Sequence, residues 1–560
     1  MAIVDEQPNE IAENFTAIPD SPVVESVVEA KPRRVTRFRL AVAIAAVCGL
    51  VCVVVGAVFI TKKHDKIDTK SIVNNIQQTP GLKVTVKALR SSMAINGKNE
   101  ATVFIVPRTS ENASSSLAFD AILTQEGENA TATYVLLGNR GYWSISSGGI
   151  QTSAGCLYAS QVPPVHLIQS SLEASREVDS VLVNGTAVPM NCETGQLLEL
   201  QFAGETFVFC NSNANQLSHA KGTDLEITVE YLNDPTLVPD IAAPEVSTEC
   251  AYIDTTLPTT ARRLTAASAS ASTAATLSSS SCGCQGKVKP CLFVHGVGVK
   301  ASSALTSTYS DYWGSIEKNA PCCSTTQFAH FDTVSRGWED ASLQQEFCNA
   351  ALQVAANNQG KTVGDLILVT HSMANMFASS AVANNKCQFS TGVSWVSLSG
   401  PMQGSKSANL LVEKCTSGTW SDLALKGILD IVGYCPPQPA YLSLLHQSTV
   451  DSNTQSQFAS IQSTRAQHVT KLVCGTSPIG LITIDSALEV VSALSHHDSA
   501  NDGVVDINSC QAGYGTSGFG TSYSSSNYQA SLNHLDTSFR NGDGWWGNDR
   551  KPVKWFECAL

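Results

Sequence analysis

The sequence has few basic residues for its size, and this scarcity excludes one large class of partners. Lysine and arginine together number 35 against 48 acidic residues, which gives a formal net charge of −13 at pH 7. A surface that binds the phosphate backbone of DNA or RNA needs clustered Lys and Arg side chains. We therefore expect no nucleic-acid partner.

Cysteine is absent from residues 1–47, and its distribution indicates a compartment. Two cysteines lie at positions 48 and 52, and the other sixteen all follow from position 156 onward. Disulfides persist in extracytoplasmic compartments, and an even, dense set of cysteines is typical of proteins that form them. Three N-glycosylation sequons, at Asn112, Asn129 and Asn184, also lie after residue 60. We expect a disulfide-bonded glycoprotein.

Charge is missing from residues 40–60, a run of 21 residues. Such a run is long enough to cross a hydrocarbon core of ~30 Å as a helix. A cleaved signal peptide would be shorter and nearer the start, and a buried core helix would carry a polar stripe. We predict a single transmembrane helix at 40–60 that follows a disordered cytoplasmic tail at 1–39.

The orientation of this helix is predicted from the flanking charges and the cysteines. Five basic residues lie within ten positions before the helix and four within ten after it, which slightly favours a cytoplasmic N-terminus. The cysteines point the same way. The prediction is a single-pass type II membrane protein whose large domains are extracellular or luminal.

A chain of 560 residues is too long for one ordinary core, so two or three domains are expected. Residues 67–258 alternate apolar and polar residues between turn signals, which predicts a β-rich domain. Its four cysteines could form two disulfides in three connectivities: Cys156, Cys192, Cys210 and Cys250. This domain is either a module that binds substrate or partner, or a spacer. Residues 259–286, rich in Ser, Thr and Ala, predict a linker.

Three apolar segments at 291–294, 366–369 and 393–398 predict buried strands in the last domain, residues 287–560. Continuous apolar runs suit parallel strands that are covered by helices on both faces. Each run is followed by small or polar residues, where the carboxyl ends of parallel strands meet. The pattern predicts an α/β fold with a functional site at that edge of the sheet.

Ser372 is the predicted nucleophile, because it lies between the second of these strands and a helix-like segment. A serine on such a sharp strand-to-helix turn exposes its Oγ. Thr370 and Ala374 occupy the positions where small residues let the strand and helix approach. The His295-Gly296 loop follows the preceding strand, so the backbone N–H groups of Val297 and Met373 are the predicted oxyanion hole.

An acid and a base follow Ser372 in the order that a hydrolase triad requires. Asp502 lies on the turn Asn501-Asp502-Gly503, and His534 lies 32 residues further on. Asp502 would orient the imidazole, and His534 would take the Ser372 proton and return it to the leaving group. Asp506 is the alternative acid.

Other residues of the last domain have competing interpretations. His371 is expected to point away from Ser372. The cluster of His496, His497 and Asp498 is a metal site or, as we favour, a group of surface or hinge residues. Trp545 and Trp546 either form an apolar lip for an acyl chain or pack in the core. The twelve cysteines from position 282 onward are expected in six disulfides rather than as metal ligands, and residues 403–495 are predicted to be a lid or cap insertion.

These motifs, in this order, resemble those of bacterial triacylglycerol lipases of the α/β-hydrolase superfamily. The motifs are His295-Gly, Thr370-His-Ser-Met-Ala, Ser399-Gly-Pro, Asn501-Asp-Gly-Val-Val and Asn533-His-Leu-Asp. The resemblance is confined to them and does not extend to the β-rich domain. It implies an α/β-hydrolase fold and ester hydrolysis. By resemblance alone, Asp536 is expected as a ligand of a structural calcium ion. Arg540 stands where those lipases have glutamine, so a plain loop carboxylate is the alternative.

The sequence as a whole predicts a membrane-anchored extracytoplasmic serine hydrolase that cleaves carboxylic esters, in particular lipid esters, through an acyl-enzyme. No organic cofactor is implied. One alternative is an acyltransferase that uses the same triad. The other is a non-enzymatic adhesion or receptor protein on a hydrolase scaffold, because a fold does not fix a function.

Overall fold

The computed structural model describes residues 68–560 with eleven gaps. These gaps are 95–97, 109–116, 127–130, 160, 164, 191, 193–194, 247, 254–273, 418–434 and 482. The predicted tail at 1–39, the transmembrane helix at 40–60 and the sequons at Asn112 and Asn129 lie outside the described residues. Among the helices that the structure does describe, none has the length and apolar character needed to cross a membrane.

The N-terminal described region is built on an eleven-stranded antiparallel sheet. Its spatial order is β6-β5-β4-β3-β2-β1-β13-β12-β11-β10-β7. The strands up to residue 232 are β1 (Gly81–Ala88), β2 (Glu100–Arg108), β3 (Ala118–Glu126), β4 (Thr131–Leu137), β5 (Arg140–Ser147), β6 (Ile150–Leu157), β7 (Arg176–Val178), β8 (Ser180–Val183), β9 (Thr186–Val188), β10 (Gln196–Phe202), β11 (Glu205–Asn211), β12 (Leu217–Lys221) and β13 (Leu225–Leu232). Helices α1 (Thr69–Gln78) and α2 (Ile168–Glu173) pack apolar side chains against this sheet. The predicted β-rich character of this region is confirmed.

A second, three-stranded sheet contains residues that the sequence assigned to the linker. Strand β14 (Ala274–Leu277) pairs in parallel with β8, which in turn pairs with β9. Ala275 and Leu277 are buried in a small apolar cluster with Val181. The prediction of a continuous linker over 259–286 is therefore wrong at its C-terminal end, because alternate small and apolar side chains there complete a core.

The C-terminal region is a mainly parallel eight-stranded sheet of order β16-β17-β15-β19-β21-β22-β24-β23. Neighbouring strands are parallel except β16 and β17. Its strands, with the small pair β18 and β20, are β15 (Lys289–Val294), β16 (Ser303–Thr306), β17 (Cys323–His330), β18 (Thr362–Val363), β19 (Leu366–His371), β20 (Gln388–Phe389), β21 (Val393–Leu398), β22 (Val469–Gly475), β23 (Phe519–Gly520) and β24 (Asn527–Ala530). The predicted α/β-hydrolase-like architecture of this region is confirmed.

Helices cover this sheet and bury one apolar cluster on each face. They are α3 (Ser310–Trp313), α4 (Ala341–Val354), α5 (Ala374–Ala383), α6 (Lys406–Ser417), α7 (Pro439–Ser443), α8 (Ser452–His468), α9 (Leu488–Ser495), α10 (Ile507–Gln511) and α11 (Pro552–Ala559). One cluster packs Phe347, Phe377 and Phe458. The other packs Phe293, Trp313 and Phe556. Burial on both faces is what the continuous apolar runs of the central strands require.

The predicted lid at 403–495 includes parts of the hydrolase core. Strand β22 lies inside the sheet between β21 and β24, and Phe458 of α8 is fully buried. The range therefore cannot be one insertion. Residues 418–434, at its centre, lie outside the described residues, and a lid role for the remaining segments stays a prediction.

Eight disulfides connect sixteen cysteines. Two lie in the N-terminal region, Cys156–Cys250 and Cys192–Cys210. Six lie in the C-terminal region: Cys282–Cys558, Cys284–Cys322, Cys291–Cys323, Cys348–Cys387, Cys415–Cys435 and Cys474–Cys510. Both expected numbers of bridges are confirmed. Because disulfides of this density form in oxidising compartments, they indicate extracellular or luminal domains.

Candidate active site

Ser372 occupies a strained turn between β19 and α5. Its φ is +56°, in the left-handed region that non-glycine residues rarely adopt. The backbone N–H of Ser372 donates to the Leu398 carbonyl at 3.0 Å, and the N–H of Asn375 donates to the Ser372 carbonyl at 3.1 Å. These bonds from two neighbouring elements fix the turn. Strain that is held in this way concentrates at functional sites.

The side chain of Asn375 connects the residues on both sides of the turn. Its amide donates to the carbonyl oxygens of Ser372 and Leu398, at 3.1 Å each. The Thr370 hydroxyl donates to the Asn375 Oδ1 at 2.6 Å and accepts the indole N–H of Trp395 at 2.7 Å. The Thr370 hydroxyl is thus a member of a buried hydrogen-bond network that supports the turn.

The three predicted triad residues meet at the carboxyl edge of the parallel sheet. His534 Nε2 lies 2.8 Å from Ser372 Oγ, and His534 Nδ1 lies 2.9 Å from Asp502 Oδ2. The side chains are almost enclosed, with 4%, 5% and 1% of Ser372, His534 and Asp502 exposed. Ser372 can therefore pass its proton to His534 while Asp502 orients the imidazole.

Asp502 is held in place by the turn that carries it. Its Oδ1 accepts the backbone N–H groups of Val504 and Val505, at 3.0 and 2.7 Å. Its own carbonyl accepts the backbone N–H of His534 at 2.8 Å. The acid and the base are thus connected through backbone as well as side chains, although 32 residues separate them.

The loop after β15 lies directly against the nucleophile. A Cβ on Gly296 would lie 2.5 Å from Ser372 Cβ and 3.0 Å from its Oγ, so only glycine fits there. Val297 follows Gly296, and Met373 follows Ser372 at the start of α5. The two predicted oxyanion donors therefore belong to residues adjacent to the contact, and their role stays a prediction.

Tyr312 and His371 hold the parts of the site in place through hydrogen bonds. The sequence did not identify Tyr312. The Tyr312 hydroxyl accepts the Gly296 N–H at 2.7 Å and lies 2.6 Å from His371 Nδ1. Burial raises the pKa of Tyr312 to about 12, so the hydroxyl keeps its proton and donates it to that nitrogen. His371 Nε2–H then donates to the His534 carbonyl at 2.9 Å. As expected, the His371 ring points elsewhere than the Ser372 hydroxyl: it bonds Tyr312 and the His534 carbonyl, and so holds the backbone of the base.

His295 is a buried neutral imidazole under the same loop. Its Nε2 accepts the backbone N–H of Phe331 at 2.9 Å, so its proton lies on Nδ1, which is 2.8 Å from the Gly296 carbonyl. Burial lowers the pKa of His295 to about 4. For the same reason the pKa of His371 lies well below its ordinary value.

The alternative acid Asp506 and the cluster of His496, His497 and Asp498 take part in contacts outside the triad. Asp506 Oδ2 lies 2.8 Å from His497 Nδ1 rather than against His534. Burial opposes ionisation of Asp506, but the hydrogen bond and charge of His497 together with the hydrogen bonds from Ser499 outweigh it, so the pKa of Asp506 is lowered. Lys406 pairs with Asp498 at 2.5 Å, and His496 is exposed. Among the described residues no group of three or more His, Cys, Asp or Glu could hold a metal ion.

Asp536 does not fit the calcium ligand that the resemblance implied. Its Oδ2 accepts the backbone N–H groups of Leu481 and Asn533, at 2.8 and 3.0 Å, and its Oδ1 accepts the Asn541 amide at 2.8 Å. N–H donors thus surround the carboxylate on the sides where a cation would need oxygen ligands. Burial raises the pKa of Asp536 to about 7.

Trp545 and Trp546 lie away from the triad. The Trp545 indole N–H donates to the Met93 carbonyl at 2.5 Å, and its ring is buried in the apolar core of the N-terminal sheet. Trp546 packs against that core. Packing is therefore one role of this pair, and it connects the two regions of the molecule.

The C-terminal region has a hydrolase-like fold. Its sheet is mainly parallel, its serine lies on a turn with positive φ, and a histidine and an aspartate lie in turn at hydrogen-bond distance. Over about its C-terminal half, the chain has a distant structural likeness to bacterial lipases and esterases. No protein-family model matches the chain. No curated protein matches it either.

Two solved lipase structures illustrate the likeness, and a separate match is to a lipoprotein. A Bacillus licheniformis lipase in its propeptide form is 17% identical, with 47% of this chain and 50% of that one covered and a TM-score of 0.29. Staphylococcus hyicus lipase is 12% identical, with 49% and 94% covered and a TM-score of 0.28. A Mycobacterium tuberculosis lipoprotein, LppX, is 11% identical, with 31% and 95% covered and a TM-score of 0.18. The match spans about half the length of the Bacillus lipase, and likenesses of this size carry no argument about activity.

Proposed function

We propose that the protein is a serine hydrolase of carboxylic esters, in particular of lipid esters, anchored in a membrane with its large domains outside the cytoplasm. The observation that carries the proposal is the hydrogen-bond chain from Asp502 through His534 to Ser372, on a strained turn between a parallel strand and a helix. The apolar run at 40–60 supports the anchor, and the eight disulfides support the compartment.

In this mechanism Ser372 Oγ attacks the ester carbonyl while His534 Nε2 accepts its proton. Asp502 stabilises the imidazolium through Nδ1. The N–H groups of Val297 and Met373 stabilise the oxyanion, at about 3–4 kcal/mol per donor in a well-studied protease. His534 gives its proton to the leaving alcohol, which departs and leaves an acyl-Ser372 ester. Water then attacks that ester with His534 as base, and the acid product and free Ser372 result.

Active-site labelling and turnover test this mechanism. Full-length protein should react with a fluorophosphonate probe at Ser372, and Ser372→Ala or His534→Ala should lower ester turnover by several orders of magnitude, since triad members act as a unit. Asp502→Asn should impair turnover through the wrong tautomer. Ser379→Ala is the matched control, because Ser379 is a buried serine of α5, the helix that follows the Ser372 turn, and among the described residues its hydroxyl bonds only the Asn375 carbonyl.

The outcomes separate the competing functions. Wild-type rate in folded Ser372→Ala protein would remove Ser372 from the mechanism. Absence of labelling and of cleavage across short and long esters would favour the non-enzymatic scaffold. Product analysis with added alcohol would reveal an acyltransferase, because the acyl group would then leave as a new ester rather than as the acid.

A further inference from the structure

A cavity of about 1030 Å³ lies on the N-terminal sheet, apart from the triad. Pockets for small molecules have volumes of ~300–1,000 Å³, so this cavity is slightly larger than that range. Ser372, Asp502 and His534 are not among the residues that line it. The cavity is therefore not the acyl site of the proposed mechanism.

One face of the sheet supplies the floor of this cavity, with the period of two that a strand dictates. On β1, Val84 and Val86 line it, while Thr85 between them does not. Val84 pairs in register with Val103 on β2 and with Val229 on β13, and both of these also line it. All four valines remain partly accessible, whereas the central strands of the parallel sheet are buried.

Loops of the hydrolase region form another wall. Ile316 and Asn319 come from the segment after Tyr312, and Phe539 and Trp546 come from the segment after His534. The Ser538 hydroxyl donates to the Tyr312 carbonyl at 2.9 Å, which connects these two segments. The cavity wall is therefore continuous in sequence with the segments that carry His534, the proposed base, and Tyr312.

A buried cation with an unused donor also lines the cavity. Arg550 is 4% exposed, and within the described residues its Nε has no hydrogen-bond partner. Its Nη1 donates to the Gln161 carbonyl at 3.4 Å, and Gln161 lines the cavity too. A buried unpaired donor is costly, and an oxygen atom of a ligand would satisfy it.

We propose that this cavity binds the long alkyl chain of an acyl lipid, with a carboxyl or carbonyl oxygen of the lipid at Arg550. An apolar cavity of this size loses packing contacts when it is empty and offers water few hydrogen bonds. A flexible alkyl chain supplies those contacts along the valine floor. The proposal does not depend on ester hydrolysis, and it assigns to the β-rich region a binding role rather than that of a spacer.

Photocrosslinking with a mapped site tests the proposal. Full-length Ser372→Ala protein is incubated with a long-chain fatty acid that carries a diazirine near the end of its chain, irradiated, digested and sequenced by mass spectrometry. We expect label on the inward residues of β1, β2 and β13. Label confined to peptides around position 372 would overturn the proposal.

A matched pair of variants ties the label to the cavity. Val84→Trp fills the floor and should reduce labelling of these strands at least fivefold. Thr85→Trp places the same side chain on the other face and should leave labelling unchanged. Val229→Phe is a milder filler for the case that Val84→Trp fails to fold, which thermal unfolding reports. Undiminished labelling in both folded fillers would overturn the proposal.

Two forms of the probe identify which kind of lipid supplies the alkyl chain. The same diazirine chain is supplied as the free acid and as a diacylglycerol. Labelling by the acid alone indicates a fatty-acid site, and labelling by the diacylglycerol indicates that a lipid ester is held beside the hydrolase region. Either result supports an alkyl-chain site, whereas labelling of the strands by neither form overturns it.

Discussion

Gly296 and Ser372 touch so closely that the site tolerates no side chain between them. The Gly296 backbone would place a Cβ 2.5 Å from Ser372 Cβ, and its N–H bonds Tyr312. Neither Gly296 nor Ser372 can move independently, because Ser372 is held by β21 and by Asn375. A side chain added at position 296 would therefore shift the nucleophile rather than disturb the fold as a whole.

We expect Gly296→Ala to lower ester turnover at least a hundredfold, because the added methyl group displaces Ser372 Oγ from His534. A misplacement of ~1 Å can cost about that much. Turnover of a short soluble ester and fluorophosphonate labelling measure the effect. Gly283→Ala is the control, since a Cβ there would meet nothing within 4 Å. Equal rates in the two variants would contradict the contact.

His295 should make the protein sensitive to acid. Its pKa is about 4 in the folded state against 6.5 ordinarily, because burial opposes its charge. The unfolded chain therefore binds more protons between these values, and the stability of the fold falls as the pH drops from about 6.5 to about 4. This difference in pKa corresponds to at most ~3.4 kcal/mol of folding free energy, at about 1.36 kcal/mol per pKa unit.

Denaturant unfolding of wild type and His295→Gln at pH 7 and pH 4.5 measures this contribution. The variant can still accept the Phe331 N–H, and it should lose less stability between the two pH values than wild type does. His496→Asn is the control, because His496 is exposed and in a left-handed conformation that asparagine tolerates. Identical pH dependence in wild type and His295→Gln would contradict a buried neutral ring.

At the scale of elements, the sequence predicted what depends on local pattern. The apolar runs of β15, β19 and β21 identified the sheet, and the order of Ser372, Asp502 and His534 along the chain identified three residues that do meet. Tyr312 could not be found in this way, because its role comes from contacts between a short helix, the loop at Gly296 and the end of the strand at His371, which are far apart in the sequence. No periodic signal accompanies such a contact.

Two strands were missed for a related reason. Strand β14 lies at the end of a Ser/Thr/Ala-rich segment, and its four residues contain one large apolar side chain, Leu277. Strand β22 follows a long helix whose surface is mostly polar, so its range resembled an insertion. Each is recognisable only by its tertiary partners, β8 for one and β21 for the other.

Leu277 should stabilise the three-stranded sheet even though it follows a low-complexity segment. The side chain is 1% exposed and packs with Val181. Leu277→Ala should cost about 2–5 kcal/mol, as large-to-small changes in cores do. Thr276→Ala on the same strand is the control, because Thr276 is exposed, and it should cost little. Chemical denaturation compares the free energies of unfolding of the two variants. Equal losses of stability would mean that β14 is not a core strand.

At the scale of the whole molecule, buried charges connect the N-terminal sheet to the last helix. Asp224, between β12 and β13, lies 2.8 Å from Lys551 Nζ and 2.6 Å from Lys554 Nζ. Glu205 also bonds Lys551. Nearby, Arg90 bonds Glu557 at 2.5 Å. These side chains are almost completely buried, so their charges are compensated by one another rather than by water.

Disulfide integrity can be measured on the whole chain. We expect thiol titration of denatured, unreduced protein to find at most the two cysteines at positions 48 and 52, because the other sixteen are paired. The same titration after reduction should find all 18. Many free thiols before reduction would contradict both the pairing and the oxidising compartment.

Removal of one partner from the charge network should uncouple the two regions. Asp224→Ala leaves Lys551 and Lys554 buried with too few opposite charges, a change that typically costs ~3–5 kcal/mol. Because the lost contacts join the sheet to α11, the sheet should then unfold in a separate, earlier transition. Glu226→Ala is the control, since Glu226 lies in the same hairpin and, among the described residues, its side chain pairs only with Lys221, at 3.8 Å and near the surface. Calorimetry distinguishes the outcomes. A single unfolding transition with equal losses of stability in both variants would show that apolar contacts alone hold the two regions together.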